Sequence, residues 1–209
     1  MMPSPPARPG RCGTVRPFAM ALKSTVYRAS LEIADMDRAV YASHALTLAR
    51  HPSETDERLM VRLLAFALHA PASDQDGALA FARGLSDADE PDLWQHSLDG
   101  RLRLWIEAGQ PEERRLARAC GRADRVVLYV YSQASSIWWA GIAGKVARLA
   151  NLQVWQLPAA QSQALAALAE RNMQLQVTVQ DGQVWIGNND SSIEVHPMPI
   201  KAPTKKFQS

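Results

Sequence analysis

Two acidic residues near one tight turn are the first candidates for chemistry. The dipeptide Asp99-Gly100 separates two short segments of alternating polarity, and it strongly favours a two-residue β-hairpin turn. In the register that such a turn imposes, Asp92 lies opposite Glu107. We therefore predict that the carboxyl groups of Asp92 and Glu107 lie side by side on one face of the hairpin.

Two carboxylates in this arrangement destabilise a sheet. For charges about 5 Å apart and an effective dielectric near 20, the repulsion is about 3 kcal/mol, a large fraction of a domain's stability. A divalent cation, a shared proton, a nearby Arg or Lys, or solvent would offset it, and the neighbouring pair of Trp94 and Trp105 limits access to solvent. The alternative is that both carboxylates point into water or bind neighbouring arginines.

The surrounding sequence predicts the elements that hold this pair. Apolar residues occupy nearly every side of a helix that begins after His51-Pro52, with Ser53 as its N-cap, so this helix is expected to be buried. Strands alternate with helices from residue 126 to 171, which predicts parallel strand pairs with covered faces. Hairpins are expected at both ends of the chain. We predict an α/β (α+β) fold with a mixed central sheet flanked by helices.

The ends of the chain differ from its body in composition. Five of the 13 prolines lie within the first 17 residues, and the last segment is also rich in proline. These ends hold six of the 23 basic residues and none of the 21 acidic ones, so the body carries 17 bases against 21 acids. That balance does not favour a general nucleic-acid binder. We predict a disordered leader (1–19), which could result from a misassigned start upstream of Met20, one domain (20–196) and a flexible tail (197–209).

Several segments of the body resemble a known family. Pro91-Asp92, followed by Glu107 near the end of the next strand, resembles the bipartite signature of the PD-(D/E)XK nuclease-like superfamily. The chain also resembles the YaeQ family of bacterial proteins from Met20 to about Pro197. The segments that carry this second resemblance are Leu48-Ala49-Arg50-His51-Pro52-Ser53-Glu54-Thr55, Asp89-Glu90-Pro91, Trp105-Ile106-Glu107, Glu113-Arg114-Arg115, Ile137-Trp138-Trp139 and Gln180-Asp181-Gly182.

The resemblance implies a restriction-endonuclease-like core with a metal site built from Asp92 and Glu107. A glutamate of the preceding helix often completes such a site, and Glu57 is the candidate here, with Glu54 as the alternative. Oxygen ligands favour Mg²⁺ or Mn²⁺ over zinc. Such a metal would orient a water molecule, lower its pKa and stabilise the charge that develops on phosphate.

One position departs from the superfamily pattern. The expected lysine falls two residues after Glu107, where this chain has Gly109. Lys145, on a later helix, could replace it, and Arg114, Arg115 and Gln110 are further candidates. The simpler interpretation of Lys145 is a solvated lysine on the surface of its helix.

Other kinds of site lack support in the sequence. The two cysteines, Cys12 and Cys120, have no zinc-binding spacing, and so few cysteines fit a reducing cytoplasm. No glycine-rich phosphate loop or nucleophile elbow is present, and no small-molecule cofactor is evident. No apolar stretch is long enough to span a membrane.

Two functions from different classes follow from this sequence. The first is a Mg²⁺- or Mn²⁺-dependent nuclease, with Asp92, Glu107 and Glu57 at the metal and Lys145 positioning water or phosphate. The second is a nuclease-like fold without catalysis that binds a protein or nucleic-acid partner. The missing lysine and the acidic body favour the second function. In the adjacent Trp138-Trp139 pair, side chains about 100° apart on a helix cannot both be centrally buried, so one could anchor a partner or stack on a base, although packing of both at the sheet edge is the simpler interpretation.

Overall fold

The computed structural model describes residues 24–83, 87 and 89–204, so the predicted leader lies outside the described residues. The predicted α+β class is confirmed. In chain order the main elements are β1 (Thr25–Asp35), β2 (Val40–Arg50), α1 (Asp56–His69), β3 (Leu79–Phe81), β4 (Leu93–His96), β5 (Leu102–Ala108), α2 (Glu113–Arg122), β6 (Arg125–Val130), α3 (Ser135–Val146), β7 (Leu152–Gln156), α4 (Ala159–Ala166), β8 (Asn172–Gln180), β9 (Gln183–Gly187), β10 (Ser192–Val195) and β11 (Met198–Lys201).

The strands form two mixed sheets rather than the single central sheet that we predicted. The strand order is β10-β9-β8-β1-β2 in one sheet and β11-β7-β6-β5-β4-β3 in the other. Strand β1 pairs in parallel with β8, so the hairpins from the two ends of the chain share one sheet. The parallel core of the second sheet is β5-β6-β7.

Helix α1 lies at the centre of the fold. Its residues from Leu59 to Ala67 are all buried, as the apolar residues on almost every side of the helix predicted. They pack in one hydrophobic core together with residues from both sheets. Its N-cap is Thr55, whose side chain accepts a hydrogen bond from the Arg58 N–H, and not Ser53 as predicted.

A second hydrophobic core covers the other face of the six-stranded sheet. It contains Leu116 of α2, Ile142 of α3 and residues of β6 and β7. The six-stranded sheet therefore lies between α1 on one face and the pair α2 and α3 on the other.

The β4–β5 hairpin keeps the predicted register at the end next to Asp92, although its turn differs from the predicted two-residue loop. Ser97 N–H donates to the Arg101 carbonyl, so the loop has three residues and not two. A bulge on β5 then restores the predicted pairing, and Trp94 lies opposite Trp105 as expected. Because the bulge changes the side-chain direction, Leu102 packs with Trp105 in the second core, whereas Leu104 packs in the first.

The C-terminal segment contains more structure than we predicted. Residues 197–209 were expected to form a flexible tail, but Met198–Lys201 forms β11, which pairs with β7 at the edge of the six-stranded sheet. The Lys201 ammonium also donates hydrogen bonds to the carbonyls of Leu149 and Leu152. This part of the tail therefore belongs to the folded domain.

Candidate functional site

Asp92 lies just before β4, and its carboxylate is 2% exposed. Its backbone N–H donates to the Ile106 carbonyl, which continues the hairpin pairing. Arg58 Nη2 lies 2.7 and 2.8 Å from the two carboxylate oxygens, and the Ala108 N–H donates to Oδ2 at 2.8 Å. The carboxylate is thus already surrounded by donors.

Glu54 joins the same ionic network from the turn that precedes α1. Its carboxylate accepts hydrogen bonds from Arg58 Nη1 at 3.1 Å and from Arg62 Nη1 at 2.9 and 3.1 Å. Arg62 Nε lies 3.3 Å from Asp92 Oδ1, yet that N–H is not aimed well enough to form a hydrogen bond. Burial lowers the pKa of Arg58, but Asp92 and Glu54 outweigh burial, so this pKa is raised.

Glu107 is held from the other face of the sheet. Arg115 Nε of α2 lies 2.7 and 2.8 Å from its two carboxylate oxygens, and the Trp105 indole N–H donates to Oε1 at 2.8 Å. Burial raises the pKa of the Glu107 carboxyl, and the opposing effect of Arg115 offsets this only in part. Asp92 raises the pKa of Glu107 further.

Asp92 and Glu107 are therefore adjacent in the hairpin, but each has its own arginine partner on a different face of the sheet, rather than lying side by side on one face as predicted. Arg58 belongs to α1 and the first core, whereas Arg115 belongs to α2, which packs in the second core. Of the predicted ways to offset the repulsion between the two carboxylates, the structure shows pairing with nearby arginines. Within the ranges that the structure describes, no group of three or more acidic, histidine or cysteine side chains is arranged to hold a metal ion.

In the chain as far as the structure describes it, the remaining predicted site residues, Glu57 and Lys145, are not members of these ion pairs. Glu57 accepts a hydrogen bond from the Ser162 hydroxyl of α4 at 2.6 Å. Lys145 is exposed on α3. Among the described residues, the structure gives Lys145 no ion pair or hydrogen bond that would tie it to Asp92 or Glu107.

Gly109 stands at the position of the superfamily lysine, and its φ of +120° explains why a lysine does not fit there readily. A side chain at this φ is strained, even though no heavy atom lies within 4 Å of the place that a Cβ would occupy. Of the other candidates, Gln110 donates to the Ser132 hydroxyl, Arg114 is exposed, and Arg115 alone reaches the carboxylates.

Three residues near the site were missed in the sequence. Arg58 and Arg62 follow Glu54 at intervals of four, which places them on one side of a helix, but the apolar character of the segment dominated its interpretation. Tyr131, just after β6, was the third. Burial raises the pKa of Tyr131, Arg58 opposes that effect, and Asp92, Glu57 and Glu54 add to it.

Known proteins resemble this chain over nearly all of its folded part. The family described as "YaeQ protein" matches residues 20–197. This chain belongs to the YaeQ family. Proteins described as "Uncharacterized protein YaeQ" from Salmonella typhi and Escherichia coli K12 are 46% and 45% identical to it over 186 residues, which is 88% of this chain and 100% of each relative.

Solved structures of YaeQ-family proteins share this fold. The YaeQ protein from Xanthomonas axonopodis pv. citri is 49% identical, with a TM-score of 0.80 over 86% of this chain and 99% of the other. The YaeQ protein from Pseudomonas syringae is 37% identical, with a TM-score of 0.80 over 87% of this chain and 98% of the other. In the described part of the chain, no helix is long and apolar enough to cross a membrane.

Proposed function

We propose that this YaeQ-family chain acts by binding a protein partner through α3, on a core of the PD-(D/E)XK type that does not hydrolyse nucleic acid. The order of elements supports the superfamily placement: α1 precedes the β4–β5 hairpin, and α2 leads into β6, which runs parallel to β5. A cytoplasmic location, suggested by the low cysteine content, is part of the same proposal.

The observation that carries the proposal is the saturation of the buried carboxylates by arginine. Glu54, Asp92 and Glu107 are bonded by the guanidinium groups of Arg58, Arg62 and Arg115. A metal ion would have to displace these cations and leave them buried near its own charge, which is strongly unfavourable. The pairs therefore suit a structural role better than metal binding.

The exposed surface of α3 supports a protein partner. Ile137 is 78% exposed, and the solvent-facing side continues through Ala140, Gly141 and Gly144. Lys145 is the helix's one charged residue. Ile137 and the two partly exposed tryptophans that follow it occupy consecutive positions of α3, and contiguous exposed apolar surface is typical of interaction sites.

Trp138 and Trp139 extend this surface at its edge. Both side chains are partly buried against the second core, and their rings contact each other with centroids 6.1 Å apart. They fix the position of the helix and still leave apolar area accessible. Small residues on the neighbouring turns would let a partner's side chains approach the helix backbone closely.

Site-specific photocrosslinking in growing bacterial cells tests this proposal. A benzophenone amino acid at position 137 is expected to give a defined crosslinked product, whose mass distinguishes a second copy of this chain from another protein. The matched control carries the same group at Gln174, an exposed position on β8. Failure to form any product at position 137, or the same products at both positions, would contradict the proposal.

A metal-dependent phosphodiesterase is the second candidate, and the hairpin register favours it. Asp92 and Glu107 are adjacent in the hairpin, as such a site requires, and Glu54 shares Arg58 with Asp92. Mg²⁺ or Mn²⁺ would bind at Asp92 and Glu107 with Glu57 assisting, and Lys145 would contact phosphate. Cleavage of single- or double-stranded DNA or RNA with either metal, abolished by Asp92→Ala, would establish this function in place of the first.

A further inference from the structure

A cavity of about 380 Å³ lies between the two sheets, and the carboxylate cluster of Glu54, Asp92 and Glu107 does not line it. Leu104 and Arg125, at the beginning of the parallel strand pair, line it, whereas Glu107 lies further along β5. The C-terminal turn of α1 contributes His69. The volume is in the range of small-molecule sites. Its apolar wall consists of Leu68, Leu104, Trp155, Val179, Val184 and Pro197.

Arg125 is an uncompensated cation in the wall of this cavity. No carboxylate lies within ion-pair distance of it in the part of the chain that the structure describes. Its Nη2 donates to His69 Nδ1 at 3.2 Å, but its Nε is buried and has no hydrogen-bond partner among those residues. A partly buried guanidinium without a counter-ion is poorly compensated, so an anion in the cavity would be stabilised.

The hydrogen bonds of His69 determine what Tyr129 can offer a ligand. Arg125 can only donate, so His69 Nδ1 must accept and the imidazole proton must lie on Nε2. Burial, followed by Arg125 and Arg38, lowers the pKa of His69, which keeps the ring neutral. The Nε2–H then donates to the Tyr129 hydroxyl at 2.9 Å, and the phenolic proton is left to donate to another group.

The other charged groups at the cavity are already engaged. The Arg38 guanidinium is paired with Asp35 at 2.6 Å and also donates to the carbonyls of Ala67 and Ala70 at the end of α1. Asp37 accepts two backbone hydrogen bonds, from residues 181 and 182 in the β8–β9 turn. Arg125 and Tyr129 are thus the donors with capacity for a ligand.

We propose that this cavity binds a small organic anion, with its carboxylate or phosphate group on Arg125 and Tyr129 and an apolar body against the Trp155 side of the wall. Arginine suits both headgroups, because its fork of N–H donors matches two oxygens. The site is independent of α3 and of the carboxylate cluster, so its failure leaves the proposed function untouched.

Calorimetric titration of the full chain with three matched probes tests this site. The probes are 3-phenylpropionate, 2-phenylethyl phosphate and the neutral 3-phenylpropionamide. Binding of at least one acid, with the amide at least about 10-fold weaker, is the expected result, and the stronger acid identifies the headgroup class. If neither acid binds, or if the amide binds equally well, the proposal is overturned.

Two variants connect binding to the named side chains. Arg125→Met is expected to weaken the acid about 10- to 100-fold, and Tyr129→Phe about 3- to 10-fold. Arg148→Met, which removes an exposed arginine next to α3, is expected to bind as the unchanged protein does. Arg125→Met should unfold at the same or a higher temperature, because it removes an unpaired, partly buried charge.

Unchanged affinity in Arg125→Met would overturn the assignment. If Arg125→Met does not fold, Arg125 is needed for the fold and is not an uncompensated cation. Tyr129→Phe alone then decides whether the anion occupies this cavity. Equal affinity of Tyr129→Phe and the unchanged protein would in that case overturn the site.

Discussion

Replacing Asp92 by asparagine tests whether the carboxylate cluster stabilises the fold through its arginines. The substitution keeps the shape of the side chain and removes its charge. In the structure this carboxylate is almost fully buried, and it accepts hydrogen bonds from Arg58 and from the Ala108 N–H. The variant therefore leaves two buried guanidinium groups, those of Arg58 and Arg62, with Glu54 as their shared acidic partner.

The expected size of the effect follows from these contacts. Removing one partner of a buried ion pair costs about 3–5 kcal/mol, and the lower end applies because Arg58 and Arg62 both keep Glu54. We expect Asp92→Asn to lose about 3 kcal/mol of unfolding free energy. For a domain of this size that loss lowers the melting temperature by about 6–12 °C.

Urea unfolding followed by circular dichroism measures this change. The matched control is Asp89→Asn, because Asp89 and Arg118 form an exposed ion pair 3.2 Å apart. That control is expected to change stability by less than about 1 kcal/mol.

The sign of the Asp92→Asn effect separates the two physical descriptions of the pair. If repulsion between Asp92 and Glu107 dominated, the neutral variant would be more stable than the unchanged protein. A stabilised Asp92→Asn variant, or one as stable as the Asp89→Asn control, would refute the reasoning from the arginine contacts.

Two further predictions concern the same strand end. Folding raises the pKa of Glu107, so the folded state binds the Glu107 proton more tightly than the unfolded state does. The stability that this proton contributes is lost as pH rises through the folded-state pKa. In urea titrations, the unfolding free energy of the unchanged protein minus that of Glu107→Gln should therefore fall with rising pH, and a rise would contradict this prediction. At Gly109, with φ +120°, alanine is expected to cost about 1–3 kcal/mol, whereas Gly121→Ala within α2 should stabilise by up to about 1 kcal/mol; equal effects in thermal melts would contradict the strain at Gly109.

The adjacency of Asp92 and Glu107 along the hairpin could be predicted because hairpin geometry is local, whereas the opposite faces from which their carboxylates are held could not. The dipeptide Asp99-Gly100 marks the turn, and polarity alternates on both sides of it. The register near Asp92 was correct because two deviations compensate: the loop has one residue more than predicted, and the bulge on β5 takes up one residue. Neither deviation has a signature in the sequence that the alternation of polarity could reveal.

The division into two sheets could not be predicted in the same way. It depends on the parallel pairing of β1 with β8, which joins residues more than 100 positions apart. Alternation of polarity shows that a strand has one buried face, but it does not identify the neighbouring strand. The short strands β3, β10 and β11 were missed because segments of three or four residues carry little periodic signal.

The arginine partners were missed for a different physical reason. Arg58 and Arg62 lie in a helix whose other residues are mostly apolar, and buried arginines are rare unless paired. Their spacing from Glu54 was visible in the sequence. Their pairing with Asp92, however, depends on how α1 packs against the hairpin, and that contact is set by the tertiary fold.

Calorimetric titration of the full chain with Mn²⁺ tests most directly whether the arginine-bound carboxylates leave room for a metal. We predict no saturable binding to the unchanged protein, because Arg58 and Arg115 already occupy the carboxylate oxygens of Asp92 and Glu107. Stoichiometric binding of Mn²⁺ that disappears in Asp92→Asn would contradict this prediction and would make the metal-dependent phosphodiesterase the better description of the protein.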